Sequence, residues 1–291
     1  MKKVIQRLLT FFAGVPAVAA LVLFLPFYRH LPLNIVVTIF SGVGAIEFSV
    51  MLKKKNLHIS KPEAFILGAL PPAALTLTTS LGFSVWIIPL VIMAGAGWVL
   101  LSRTFSRLDK MDNVANRLAA GCSVLVYPGF FMCWLVNMSI WENSGAILLF
   151  LLIAFGSDSA AWLAGNLFGA NNRGVIAASP NKSIAGFTGG TIGSIIVSGG
   201  AALLFPSIFI PDGEGVSLSA LMVTAVLLGF FTGIAAALGD LAESAIKRSC
   251  DVKDSGKLMF GRGGVLDSID SIAVASPVFF LLFNILFVIS R

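Results

Sequence analysis

Apolar runs of about membrane thickness alternate along this chain with short polar connections. A bilayer core about 30 Å thick takes roughly 20 apolar residues per helix. Runs of that kind recur at 8–27, 31–52, 62–80, 82–101, 118–138, 145–168, 184–208, 217–239 and 269–289. The pattern predicts an all-α polytopic membrane protein with about nine transmembrane helices. The third run is the weakest, because Pro71-Pro72 interrupts it. Proline inside a membrane helix is tolerated when neighbouring groups satisfy the carbonyls it frees.

The connections test the count independently. If the runs alternate across a membrane, 18 of the 20 Lys and Arg residues fall on one side. They lie in five groups: Lys2, Lys3 and Arg7; Lys53, Lys54, Lys55 and Lys61; Arg103, Arg107, Lys110 and Arg117; Arg173 and Lys182; Lys247, Arg248, Lys253, Lys257 and Arg262. Arg29 and Arg291 fall opposite, beside a connection holding Asp212 and Glu214. Lys and Arg are retained on the cytoplasmic side of short loops. The expected topology therefore has a cytoplasmic N-terminus and an outside C-terminus. Lys2 and Lys3 followed by an apolar run and Ala17-Val18-Ala19 also resemble a cleavable signal peptide. The run continues to Phe27, which favours a retained first helix.

Composition narrows the function classes. Of the 291 residues, 57% are hydrophobic and 12% charged, against about 25% charged in a soluble globular protein. That excludes a soluble enzyme, a disordered chain and a surface-basic nucleic-acid binder. The net charge of +6 matters less than where the bases lie. Cys122, Cys133 and Cys250 have neither disulfide-framework nor zinc-ligand spacing. Two divisions are expected: residues 1–150 as membrane wall, and residues 151–291 as a region whose polar residues a wall does not need.

Ionisable groups inside apolar spans are costly and are functional candidates by default. Glu47, near the end of the second span, is expected to snorkel toward Lys53 and Lys54. Asp158 lies among small residues in Gly156-Ser157-Asp158-Ser159-Ala160-Ala161-Trp162 and requires a cation or several donors. Ser179-Pro180-Asn181-Lys182-Ser183 forms a tight turn in which Lys182 offers a point charge to phosphate; by itself this is equally a turn with a snorkelling lysine.

The densest constellation begins at the end of the eighth span. Asp240, Glu243, Ser244 and Lys247 are spaced to share one helix face, and Arg248 follows. After Lys253-Asp254-Ser255-Gly256-Lys257 comes the glycine-rich turn Gly261-Arg262-Gly263-Gly264. Asp267 and Asp270 open the ninth span, where carboxylates face the positive end of the helix dipole. Paired carboxylates are hard oxygen ligands suited to Mg²⁺. A glycine-rich turn lets backbone N–H groups approach an anion. Together with bases, these are the parts phosphoryl or nucleotidyl transfer requires. Two histidines in the chain, His30 and His58, leave little room for histidine-based hydrolysis.

These residues resemble the bacterial phosphatidate cytidylyltransferase (CDP-diacylglycerol synthase) family. Its motif is matched by Ser244, Lys247-Arg248, Lys253-Asp254, Gly256, Gly261, Gly263-Gly264, Asp267 and Asp270. An earlier Asp, Ala and aromatic set is matched by Asp158, Ala161 and Trp162, and a Ser-Pro-x-Lys-Thr motif by Ser179-Pro180-Asn181-Lys182-Ser183. Two positions depart from the pattern: Arg262 stands where the family has His, and Ser268 where it has Arg. The resemblance implies that CTP and phosphatidic acid give CDP-diacylglycerol and pyrophosphate. It implies Asp240 and Asp267 as ligands of Mg²⁺ with a second, monovalent cation such as K⁺. It implies Lys247, Arg248 and Lys182 as phosphate binders and Asp270 and Asp158 as supporting acids. Ser179, Ser244, Lys253, Gly263 and Gly264 are expected to contact substrate. A homodimer in the cell inner membrane is implied as well. The competing readings are a CTP-dependent lipid kinase of the polyprenol type and a cation-binding transporter.

Overall fold

A computed structural model describes residues 2–102, 114–210, 217–259, 261 and 263–289, with side chains for those from 13 to 287. Arg103, Arg107, Lys110, Asp212, Glu214, Arg262 and Arg291, which belong to the charge partition or the motif, lie outside the described residues. Among the described residues the chain is helical, with two isolated backbone bridges and no strand. The helices are α1 (Lys2–Phe24), α2 (Phe27–Lys53), α3 (Lys61–Leu81), α4 (Ile87–Leu101), α5 (Val114–Val124), α6 (Phe131–Asn137), α7 (Ser144–Phe168), α8 (Ile184–Leu204), α9 (Leu218–Ser249) and α10 (Leu266–Phe283). α5 and α6 run into one another and count as a single stretch, Val114–Trp141.

Every expected span falls on a helix, but among the described residues seven, not nine, are long and apolar enough to cross a bilayer. The two shorter ones are Ala13–Phe24 and Ile87–Leu101. At 15 residues α4 is about 22 Å long at 1.5 Å per residue, short of the core thickness. Its start moves from the expected 82 because Gly82 takes a left-handed φ of 71° and ends α3 there. At 32 residues α9 extends about 48 Å, past any hydrocarbon core. Its last turn carries Lys247 and Arg248, where cations complement the helix dipole.

The chain forms two compact units. One comprises Met1–Glu142 and Ile246–Ile269, the other Asn143–Ala245 and Asp270–Arg291. In the first, α2 packs closely on α3: a Cβ placed on Gly68 would come within 2.3 Å of Ala45 Cβ. The double proline of α3 is accommodated in the way membrane helices require. Pro72 has no N–H for the carbonyl of Gly68, and Ser41 Oγ donates to that carbonyl at 2.7 Å. α2 begins irregularly, with Tyr28, Arg29 and His30 in left-handed conformation. The freed Arg29 carbonyl accepts from Asn34 Nδ2 at 3.2 Å and from Ser80 Oγ at 3.3 Å.

In the second unit α7 packs on α8 through small residues. A Cβ on Gly189 would meet Ala164 Cβ at 2.2 Å, and one on Gly193 would meet Ala160 Cβ at 2.4 Å. Such four-residue spacing of small side chains permits close helix approach in membranes. The N-termini are capped by side chains: Asn143 Oδ1 accepts from Ala146 N at 3.0 Å and Ser183 Oγ from Gly186 N at 3.0 Å. Phe150, Phe279, Phe283, Phe287 and Phe209 form a connected aromatic cluster with centroid separations of 5.0–6.3 Å, in the range where offset and tilted ring pairs stabilise.

Candidate functional site

The second unit contains a cavity of about 300 Å³. Asp158 and Trp162 reach it from α7, Arg173 and Lys182 from the following connection, and Asp240 from α9. The turn that presents Lys182 is closed by its own N–H donating to Ser179 O at 3.0 Å. Gly186 and Gly190 begin α8 without side chains beside α7; a Cβ on Gly190 would sit 3.1 Å from Ala161 Cβ. Lys182 Nζ forms an ion pair with Asp240 Oδ2, and both side chains are about one-third exposed. Ser244 Oγ, one turn along α9, lies 3.4 Å from Asp240 Oδ1. Asp240, Glu243 and Asp158 are all close enough to Asp270 to act on it electrostatically, and Glu243 shares a hydrogen bond with it. Glu243 and Asp270 are buried. Four carboxyls thus gather in one unit, and two of them, Asp158 and Asp240, line the cavity together with Lys182 and Arg173.

The first unit contains the glycine-rich loop and the start of α10. Asp267 Oδ1 accepts from Lys247 Nζ at 2.6 Å in a pair whose side chains are 12% and 7% exposed. Its other oxygen, Oδ2, accepts from Ser255 N at 2.9 Å, Ser255 Oγ at 2.8 Å and Gly264 N at 2.7 Å. The loop turns back through reciprocal Met259 and Gly263 backbone bonds of 2.9 and 3.1 Å. Gly263 has φ of +111°, and a Cβ there would lie 2.6 Å from Asp267 Oδ2. Only glycine allows both that backbone conformation and that approach. The anion this turn closes on is therefore the chain's own Asp267.

Residues 5–286 match the Cytidylyltransferase family. The chain belongs to that family. It is 31% identical over 268 residues to the phosphatidate cytidylyltransferase of Staphylococcus saprophyticus, covering 90% of this chain and 94% of that one. It is 28% identical over 281 residues to the phosphatidate cytidylyltransferase of Bacillus subtilis, covering 95% and 96%. Over 206 residues it is 32% identical to the uncharacterized protein YnbB of Escherichia coli, covering 69% of this chain and 65% of that one.

In this cytidylyltransferase the structure brings Asp158, Lys182, Asp240, Ser244 and Asp270 into the second unit, and Lys247, Asp267, Gly263 and Gly264 into the first. Ser179 is half-buried in its turn, while Arg248 and Lys253 are exposed. Two lysines expected to bind phosphate, Lys182 and Lys247, are each paired with a carboxylate expected to bind metal. Sequence reasoning missed the role of Ser255, which bridges to Asp267, and placed Glu47 wrongly. Glu47 does not snorkel toward Lys53 and Lys54. It is 6% exposed, and its Oε2 accepts from Ser255 Oγ at 3.1 Å and Leu266 N at 2.9 Å. The reason is energetic: a buried carboxylate gains more from two fixed donors than from a flexible surface lysine. No local spacing in the sequence signals this, because the partners lie more than 200 positions away.

Among the described residues no set of three or more His, Cys, Asp or Glu side chains is gathered as a ready-made metal cage. The donor chemistry nevertheless suits Mg²⁺. Asp240 and Asp267 offer hard oxygens, and each already holds an ammonium group at contact distance, so each stands where a positive charge is favoured. Mg²⁺ itself commonly takes only one or two protein carboxylates and completes its shell with water and substrate phosphates.

Proposed function

We propose that this chain transfers the cytidylyl group of CTP to phosphatidic acid, giving CDP-diacylglycerol and pyrophosphate. The observation that carries the reading is the family match from residue 5 to 286, within which both ammonium–carboxylate pairs fall. A phosphatidate oxygen forms the new bond to the α-phosphorus of CTP. The bond from that phosphorus to the oxygen bridging to the β-phosphate breaks, and its electron pair leaves with pyrophosphate. The lipid phosphate is already ionised, so the step needs positioning and charge neutralisation rather than a strong base.

Lys182 and Lys247 are the groups placed to receive phosphate oxygens, exchanging a carboxylate partner for a phosphate one. Exposed Arg248 and Lys253 add positive charge along the same segment. Asp158 and Asp270 act as supporting acids, and Ser179 and Ser244 shape the turn and the helix face that present Lys182 and Asp240. Asp240 and Asp267 are the carboxylates proposed to hold Mg²⁺, with K⁺ as a second cation; bound there, the metal would neutralise developing charge on the phosphates.

The chain is a multi-pass membrane protein. The finer topology belongs to this proposal: nine crossings, a cytoplasmic N-terminus and an outside C-terminus in the inner membrane, supported by the one-sided distribution of basic residues. Residues 1–150 serve mainly as wall and 151–291 carry most of the chemistry. A homodimer remains the assembly expected.

The test is transfer of label in membranes supplied with phosphatidic acid. CTP labelled at the α-phosphate is expected to label lipid, whereas CTP labelled at the γ-phosphate is not. Label from the γ-phosphate alone would instead identify a lipid kinase, and no label from either would leave a binding or transport role.

A further inference from the structure

We infer that Glu47 is a positioning residue for the transfer reaction, acting through the glycine-rich loop on Asp267. The inference rests on the role proposed above for Asp267.

Glu47 lies in α2, far from the motif in sequence, yet the loop is built around it. Its Oε2 takes the Leu266 N–H at 2.9 Å. That N–H belongs to the first turn of α10, where backbone donors have no partner within the helix. The same oxygen shares the single Ser255 hydroxyl hydrogen with Asp267 Oδ2, at 3.1 and 2.8 Å respectively. Ser255 is the residue that supplies two of the three donors on Asp267 Oδ2, at 2.9 and 2.8 Å. Asp267 N points back to Ser255 Oγ at 3.3 Å. The chain of contacts thus runs from Glu47 to Ser255 to Asp267, and in parallel from Glu47 to the start of the helix that carries Asp267.

The loop also presses directly against the Glu47 side chain. A Cβ on Gly256 would lie 2.0 Å from Glu47 Oε1, and all three of its nearest atoms belong to Glu47. A Cβ on Gly264 would lie 2.1 Å from Ser255 Oγ and 2.2 Å from Glu47 Oε2. Gly264 is the residue that supplies the third donor to Asp267, at 2.7 Å. Gly256 has no left-handed φ, so the glycine there is required by space rather than by backbone conformation. Oε1 accepts no hydrogen bond and is buried; its contact is with the loop backbone it props. Every donor on Asp267 Oδ2 therefore comes from a residue in contact with Glu47. Partners that orient a ligand or catalytic group from behind typically change activity by about 10–100-fold when removed.

The experiment uses the full chain in membranes, with α-labelled CTP and phosphatidic acid, and reads kcat and KM separately. Glu47→Leu is expected to lower kcat by about 10–100-fold, with KM for CTP within about threefold of the parent and normal amounts in the membrane. Glu47→Gln keeps an acceptor oxygen for Leu266 N and Ser255 Oγ and is expected to restore most of that loss. Gly256→Ala is expected to lower kcat in the parent, and to lower it much less in a Glu47→Ala background, where the atoms its methyl meets are gone; such non-additivity marks direct coupling. Where Glu47→Leu does not reach the membrane, the Gln variant and Gly256→Ala decide the matter.

Glu47→Leu with unchanged kcat beside an inactive Asp267→Asn overturns the positioning role and leaves the Asp267 reading intact. A Glu47→Leu defect confined to KM, or an equal Gly256→Ala effect in both backgrounds, also overturns it. Full activity in Asp267→Asn removes the Asp267 reading, and the inference with it.

Discussion

The Lys247–Asp267 contact, 2.6 Å long and nearly buried, shows how one side chain can serve both architecture and chemistry. Removing one member of a buried ion pair leaves the other uncompensated and costs about 3–5 kcal/mol. Lys247→Ala is therefore expected to lower the Tm in detergent and to raise KM for CTP or lipid by about tenfold. An unchanged KM would count against a phosphate-binding role, whatever the Tm did. At this scale the sequence was legible wherever partners share a helix. The Asp240, Glu243, Ser244 and Lys247 face follows from helical spacing, and Ser244 does approach Asp240 at 3.4 Å. It was not legible for Glu47, whose donors lie in a loop and at a helix start more than 200 positions away. An isolated acid near a membrane helix end reads as snorkelling until the fold supplies its partners.

Helix by helix, the apolar runs located every element, because length and hydropathy alone separate membrane segments from connections. They were less informative about ends. Gly82 stops α3 and shortens α4, and α9 continues well beyond its apolar portion because its later residues remain helix formers. Packing between elements depends on small residues. On α8, Gly193→Leu is expected to force α8 from α7, since even a Cβ would meet Ala160 Cβ at 2.4 Å. Overpacking of this kind costs about 1–3 kcal/mol, and the loss would be seen as a lowered Tm together with lowered transfer activity, because the same two helices frame the cavity. On α2, Ser41→Ala removes the hydroxyl that satisfies Gly68 O of α3 at 2.7 Å. A buried carbonyl left without a donor costs about 1–3 kcal/mol. Thermal unfolding of the variant should show that loss with little change in KM, and an unchanged Tm would mean another group replaces the serine.

For the molecule as a whole, the distribution of Lys and Arg is the strongest topological signal, with 18 of 20 expected on one side if the nine apolar runs alternate across the membrane. In a background lacking Cys122, Cys133 and Cys250, a single cysteine at Asn56 is expected to react with a membrane-impermeant thiol reagent only from the cytoplasmic face. One at Ser84 should react only from the opposite face. Reversed labelling would invert the topology, and labelling of both from one face would remove a crossing between them.

The most direct measurement of the central claim is cytidylyl transfer from α-labelled CTP to phosphatidic acid by the parent protein, Asp240→Asn and Asp267→Asn at matched amounts in the membrane. Labelled lipid is expected from the parent, with a fall of at least about 100-fold in each variant. Near-parental transfer by both variants would contradict the claim.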